Sequence, residues 1–322
     1  MESSEKQYRR KMFLAFGLLY FLWGSTYLGI RIAVVEIPPA LMAGVRFFIA
    51  GPLMLLWCAR SGRRLAVTLH DGVRLAVVGV LLLSVGNVVV NWAEQWVPSG
   101  LAALIISITP MWFLILETWI FPGEHRVSPR ALAGLGLGAC GIVVLLWPEL
   151  RHTNSMGRPE LIGSLSLLGS SFAWALGSVL AKRWKPQADP LVATGYQMTF
   201  AGAVNLLMAT AMGEWAHATW SWRGISALLY LLVFGSWVAF SAYVWLLHHV
   251  PITKVSTYAY VNPVVAVILG WALAGEQVTG YILAGAAIVV VAVALVTGAK
   301  LKTRTKKTEE QQSLAACGST AD

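Results

Sequence analysis

The chain has 322 residues, of which 57% are apolar and 12% charged, and its mean hydropathy is +0.67. A soluble domain carries about 25% charged residues, so a soluble globular fold is excluded, as are a disordered chain, a collagen-like chain and a disulfide-rich scaffold. The net charge of +9 is not a nucleic-acid footprint, because Lys and Arg fall in short clusters between apolar runs.

A membrane-spanning helix needs about 20 mostly apolar residues. Ten such runs follow one another, at 12–35, 39–58, 73–92, 98–120, 130–147, 161–181, 190–212, 224–247, 252–272 and 279–298. They predict an all-α membrane protein with ten transmembrane helices and no room for a separate soluble domain. The first run is too long for a signal-peptide core and no A-x-A site follows it, so it reads as an uncleaved helix. Cys58, Cys140 and Cys317 are far apart and contain no C-x-x-C, which argues against a disulfide framework or a cysteine metal site. No metal or cofactor is expected.

Lys and Arg in the loops set the orientation. The two ends and one alternate set of loops carry 19 of the 24 basic residues, against three in the other loops. This predicts cytoplasmic N- and C-termini. Arg31 and Arg46 lie inside apolar runs. The polar tail 299–322 has no apolar period and is expected to be disordered, with its basic residues drawn to anionic lipid headgroups.

The halves align on each other. Phe21-Leu22-Trp23 falls on Phe172-Ala173-Trp174 at an offset of 151, which also carries Gly44, Arg46 and Gly51 onto Gly195, Gln197 and Gly202. Trp92, Pro98 and Pro110 fall on Trp245, Pro251 and Pro263 at an offset of 153. Gly123-Glu124 falls on Gly275-Glu276. A segment 1–11, a first repeat 12–147, a linker 148–160 and a second repeat 161–298 follow. Each repeat has five spans, an odd number, so the second is inverted relative to the first. Inverted repeats are common in secondary transporters and put the substrate site near the bilayer midplane, between the halves.

Several motifs carry a resemblance. Trp23-Gly24-Ser25-Thr26-Tyr27, Pro38-Pro39 and Ala43-Gly44-Val45-Arg46-Phe47 resemble the EamA-domain branch of the drug/metabolite transporter superfamily. Ala93-Glu94-Gln95, Val97-Pro98-Ser99-Gly100 and Tyr258-Ala259-Tyr260-Val261-Asn262-Pro263 are similar to the YedA-type exporters within it. The resemblance covers 12–298 and implies a ten-span, two-repeat exporter of amino acids, other metabolites, dyes or drugs. It does not specify the substrate.

A charge within a span usually faces the bundle interior. Arg46 is therefore either a donor to an anionic group of the substrate or a tie to backbone carbonyls or Glu94, with its neutral mate Gln197 on a second, polar wall. Arg31 is expected to snorkel or to pair with Glu36. Asn87, Asn91 and Glu94 share one face of the third span at spacings of four and three, a polar stripe that reads as a cavity wall or as interhelical hydrogen bonding. Glu94 is the candidate proton acceptor, or else a solvated rim residue. Glu117 is expected to snorkel or to pair with a loop Arg. Pro110 and Pro263 read as mid-span kinks that free the carbonyls of Ile106 and Ala259 and act as hinges. Trp23, Thr26, Trp174, Tyr243, Tyr258 and Asn262 complete the expected cavity, with Trp112 and Trp237 also mid-span. The tryptophans at span ends read as an interfacial belt. Glycine-rich faces, Gly134-x-x-x-Gly138 in the fifth span and Gly280 to Ala287 in the tenth, are expected to pack within the bundle and leave room for a homodimer contact.

The leading function is a secondary exporter of small organic solutes in a bacterial inner membrane. No G-x-x-x-x-G-K-[ST] is present, so the drive is a gradient or an exchange. An intramembrane enzyme is the remote alternative, since neither G-x-S-x-G nor H-E-x-x-H occurs and His248-His249 lies at a span end. An uncoupled facilitator or channel shares the architecture and stays open as a reading.

Overall fold

The computed structural model describes residues 2–120, 125–126, 129–145, 147–148, 158–250, 255, 257–298 and 302–303. The described residues are mostly helical: α1 (Glu2–Ala33), α2 (Pro39–Arg60), α3 (Leu69–Ala93), α4 (Ser99–Ile120), α5 (Pro129–Leu145), α6 (Arg158–Trp184), α7 (Pro190–Ala211), α8 (Trp222–His249), α9 (Tyr258–Ala274) and α10 (Gly280–Gly298). Within the expected segment 1–11, α1 is already helical from Glu2.

Six helices (α1, α2, α3, α4, α6 and α8) are long and apolar enough to cross a membrane. The expectation of ten such helices is met to that extent. α7 has 22 residues, but Thr194, Gln197, Thr199, Asn205 and Thr210 dilute its apolar run. In α5, α9 and α10 the apolar stretches are shorter. Among the described residues the tail contributes a two-residue ladder, Lys302–Thr303 against His125–Arg126, where disorder was expected.

Helix starts follow local chemistry. Thr68 accepts from Asp71 N at 3.1 Å to cap α3, and Ser221 accepts from Arg223 N at 3.1 Å to cap α8. Pro39 and Pro190 begin α2 and α7, where a missing N–H costs nothing.

The packing is reciprocal between the halves. α2 and α7 form the most extensive pair, followed by α5 and α10. A Cβ on Gly44 would lie 2.8 Å from Leu206 Cδ2, and one on its mate Gly195 would lie 2.8 Å from Leu55 Cδ2, Leu55 being the mate of Leu206. Gly51 meets Thr199 while Gly202 meets Phe48, again exchanged pairs. As α2 is followed forward its partners on α7 run backward, the register of antiparallel helices. α5 and α10 repeat this, with Gly138 against Ala292 and Gly141 against Val289. Glycine at these crossings lets the backbones approach, so the small-residue faces pack within the chain. α1 packs on α9 and α8, and its mate α6 packs on α4 and α3. Both α3 and α8 contain a π-helical stretch, Val80–Gly86 and Leu231–Phe240, starting 151 residues apart. Such stretches shift side-chain register and often sit at functional sites.

Candidate functional site

A cavity of about 80 Å³ lies between the halves. α1 contributes Trp23, Thr26 and Tyr27, α2 Arg46, α3 Asn87, α4 Ile106, α6 Ser170, Ser171 and Trp174, α8 Gly235 and Phe240, and α9 Tyr258 and Asn262. The two π-helical stretches supply Leu83, Gly86, Gly235 and Phe240 to its wall.

Arg46 is 4% exposed. It ties neither to a backbone carbonyl nor to Glu94: Nε donates to Ser236 Oγ at 2.6 Å, and Nη1 is buried with no hydrogen-bond partner among the described residues. Thr26 Oγ1 donates to Trp23 O at 2.7 Å, and Trp23 Nε1 donates to Gly235 O at 3.3 Å. The rings close into one cluster, with Trp23 centred 5.3 Å from Trp174, 4.9 Å from Tyr243 and 5.4 Å from Tyr258. The Asn262 side-chain nitrogen, turned to satisfy its neighbours, reaches Tyr258 O at 3.3 Å and Tyr20 O at 3.0 Å.

The polar stripe of α3 divides. Asn87 lines the cavity, its side-chain oxygen without a partner among the described residues. Asn91 does not: fully buried, it donates to Pro39 O at 3.2 Å and ties α3 to the start of α2. Glu94 is 0% exposed and lies outside the lining, so it is no solvated rim residue. Arg31 donates to the Glu94 backbone carbonyl and does not pair with Glu36. The reason is that Glu36 is turned to α8, where its carboxylate accepts from Ser221 Oγ at 2.5 Å and Gly224 N at 3.2 Å.

Gln197 and Tyr243 also fall outside the cavity. They line a vestibule of about 700 Å³ at the end where α1 begins. Fully buried Tyr243, hydrogen-bonded to Ser178 Oγ at 2.7 Å, stands between the vestibule and the aromatic cluster. Arg74, Lys182, Lys185, His248 and His249 face the vestibule. Glu117 is buried and pairs with Lys182 at 2.9 Å, not with a loop Arg.

The two prolines differ: Pro110 stands at a helix start and Pro263 inside a helix. α4 breaks into a turn at Ser107–Ile108, and Pro110 is the second residue of the helix that resumes at Thr109. The Ile106 carbonyl is taken by the Thr109 hydroxyl at 2.6 Å. Pro263 sits in the second turn of α9. Trp112 and Trp237 make cross-helix ties, to Ser171 Oγ at 3.0 Å and Ala50 O at 2.8 Å. Sequence reasoning missed Gly235 and Ser236, which seat Arg46. The available signal was the alignment of Gly235 on Ser84, a small residue at both positions of an otherwise bulky run.

At the far end, three carboxylates bind one half to the other. Besides Glu36, Glu276 accepts from Ser99 N at 2.8 Å, Ser99 Oγ at 2.7 Å and Gly100 N at 3.1 Å, which caps α4. Glu214 accepts from Leu41 N at 2.7 Å and Ala40 N at 3.4 Å, which caps α2.

Comparison with known proteins agrees with this architecture. The model of the EamA-like transporter family matches residues 10–147 and 161–298, the two halves. The chain is 38% identical over 289 residues to the uncharacterized inner membrane transporter YedA of Escherichia coli, covering 89% of this chain and 90% of that one. It is 26% identical over 292 residues to a probable amino-acid metabolite efflux pump of Salmonella typhimurium, covering 87% and 92%. A crystal structure at 20% identity superposes with a TM-score of 0.64 over 90% of this chain and 98% of that one, which shows a shared fold. Matched over both repeats, the chain is a multi-pass membrane protein that belongs to the EamA-like transporter family, within the drug/metabolite transporter superfamily.

Proposed function

We propose that the protein is a secondary transporter that exports small organic solutes (amino acids, other metabolites or drug-like compounds) across a bacterial inner membrane. It works by alternating access between two inverted five-helix repeats, ten spans in all, with both termini cytoplasmic. The observation that carries this reading is a cavity between the halves, with a vestibule at one end and carboxylate-capped helices at the other. The antiparallel, reciprocal pairing of α2 with α7 and of α5 with α10 supports inversion, since a two-fold axis across antiparallel mates lies in the membrane plane. The name of the Salmonella relative supports export. In this arrangement the vestibule is open to the cytoplasm, and rocking about α2 and α7 releases the far-end caps while the vestibule closes.

Counterflow in proteoliposomes tests the reading. Unlabelled solute on one side should accelerate uptake of labelled solute from the other. Flux without trans-stimulation would instead identify an uncoupled facilitator.

Glu94 is the residue for proton coupling. It lies one residue beyond α3, with both side-chain oxygens buried and without a hydrogen-bond partner among the described residues. Burial first, and the charge of Glu276 second, push its carboxyl well above the ordinary range, against the opposing pull of Arg31. Glu94→Gln keeps the shape but cannot titrate. In inverted vesicles with an imposed pH gradient it should lose gradient-driven uptake and keep exchange. An unchanged response would remove Glu94 from the coupling.

A further inference from the structure

The guanidinium of Arg46 is a buried cation with no counter-anion among the described residues. Its one side-chain hydrogen bond among the described residues is to a neutral hydroxyl, Ser236 Oγ, and its Cζ lies 4.8 Å from the centre of the Phe47 ring, so neither partner carries a negative charge. Nη1 has no partner, and no carboxylate pairs with it. The seat is shaped for the group: a Cβ on Gly235 would lie 2.7 Å from Nη2. Isolated buried charge is costly, so proteins pair it or hydrogen-bond it fully. The cavity wall does not supply the missing charge, because no Asp or Glu lines it. The remaining polar lining is neutral, and the free oxygen of Asn87 is an amide. The rest of the wall is mostly aromatic and aliphatic, with the rings of Trp23, Phe47, Trp174, Phe240 and Tyr258 among it. The approach has the same sign. Among the described residues no Asp or Glu lines the vestibule, where Arg74 and Lys182 pair with Asp71 and Glu117 set behind them, and Lys185, His248 and His249 also face in.

We propose that the transported solute is a small organic anion, a monocarboxylate with an apolar or aromatic body, whose carboxylate completes Arg46 and which needs no ammonium group. This rests on the transporter reading and narrows it. A carboxylate matches the planar donor fork of Arg46. A zwitterion would bring a second cation into a cavity that offers it only neutral acceptors, and a cationic solute would lack even the carboxylate. At about 80 Å³ the cavity holds the headgroup, and the body displaces the aromatic cluster toward the vestibule of about 700 Å³.

The test uses the full chain, purified, with four probes of one shape: phenylacetate, phenylacetamide, phenylalanine and phenethylamine. Thermal unfolding reads binding, because a ligand of the native state raises the melting temperature, and counterflow in proteoliposomes reads transport. Phenylacetate should stabilise at concentrations at least tenfold below those the other three require. Gly235→Ala, which crowds Nη2, and Arg46→Ala should each abolish the shift, and Arg46→Lys should keep part of it. If Arg46→Ala does not fold, Gly235→Ala and Arg46→Lys carry the test. Absence of any phenylacetate shift overturns the inference, as does a shift unaltered in both of those variants. Stronger binding and trans-stimulated counterflow of phenylalanine or phenethylamine overturns the anion while leaving the transporter reading intact. Absence of trans-stimulation for all four probes overturns both.

Discussion

The N-termini of α2 and α7 occupy matching places in the two halves, with Pro39 and Pro190 as first helical residues, yet they are capped by opposite means. Before α7 stands Asp189, whose own side chain accepts from Leu191 N at 2.9 Å and which pairs with Arg63. Before α2 stands Pro38, which has no acceptor to offer. There the mate of Arg63, Glu214, reaches across and accepts from Ala40 N and Leu41 N. Duplication thus preserves the place where a helix start needs an acceptor, not the residue that supplies it. The two ends also differ in solvent. Glu214 is 8% exposed, whereas the Arg63 and Asp189 side chains are 37% and 30% exposed. The basic partner stands at the end with the vestibule, and the buried carboxylate at the opposite end.

The largest test of this contrast is all-or-none. In a background without native cysteines, Ala216→Cys, exposed beside Glu214, should react with an impermeant thiol reagent added to intact cells, and Ser61→Cys, beside Arg63, only after lysis. The reverse pattern would invert the assignment of the ends. Next comes Glu276→Ala, which strips three donors at the start of α4 and should cost about 2–3 kcal/mol in unfolding of the purified protein. Glu214→Ala leaves two buried backbone N–H groups unmet and should cost about 1–3 kcal/mol. Adding Pro38→Asp, which copies the α7 solution, should return part of that loss. Asp189→Ala removes a half-exposed cap, worth about 0.5–2 kcal/mol. Arg63→Ala removes a solvated ion pair, worth about 0.2–1 kcal/mol. A cost for Arg63→Ala above that for Glu214→Ala would break the contrast.

Much of the candidate site was legible. Arg46, Trp23, Thr26, Asn87, Trp174, Tyr258 and Asn262 were expected at the cavity and line it. Asn91, Glu94, Gln197 and Tyr243 were expected there and do not line it. Helical spacing of four and three put Asn87, Asn91 and Glu94 on one face, but the face is longer than the cavity, and below Asn87 it meets the start of α2. For Arg31 and Glu36, nearness in sequence suggested a pair. The chain turn between α1 and α2 instead points Glu36 at α8, 185 residues away at Ser221.

The sequence by itself determined the membrane class, the two repeats and the buried cation, because hydropathy, the Trp-Gly-Pro alignment and a charge inside an apolar run are properties of the chain that no packing can erase. The tertiary structure alone decided what each polar group meets. Ser236 and Gly235 beside Arg46, Lys182 against Glu117 and Glu214 on the α2 start join residues 65 to 190 positions apart. Such partners are set by which helices pack side by side and in what register, and a linear pattern carries no record of that distance.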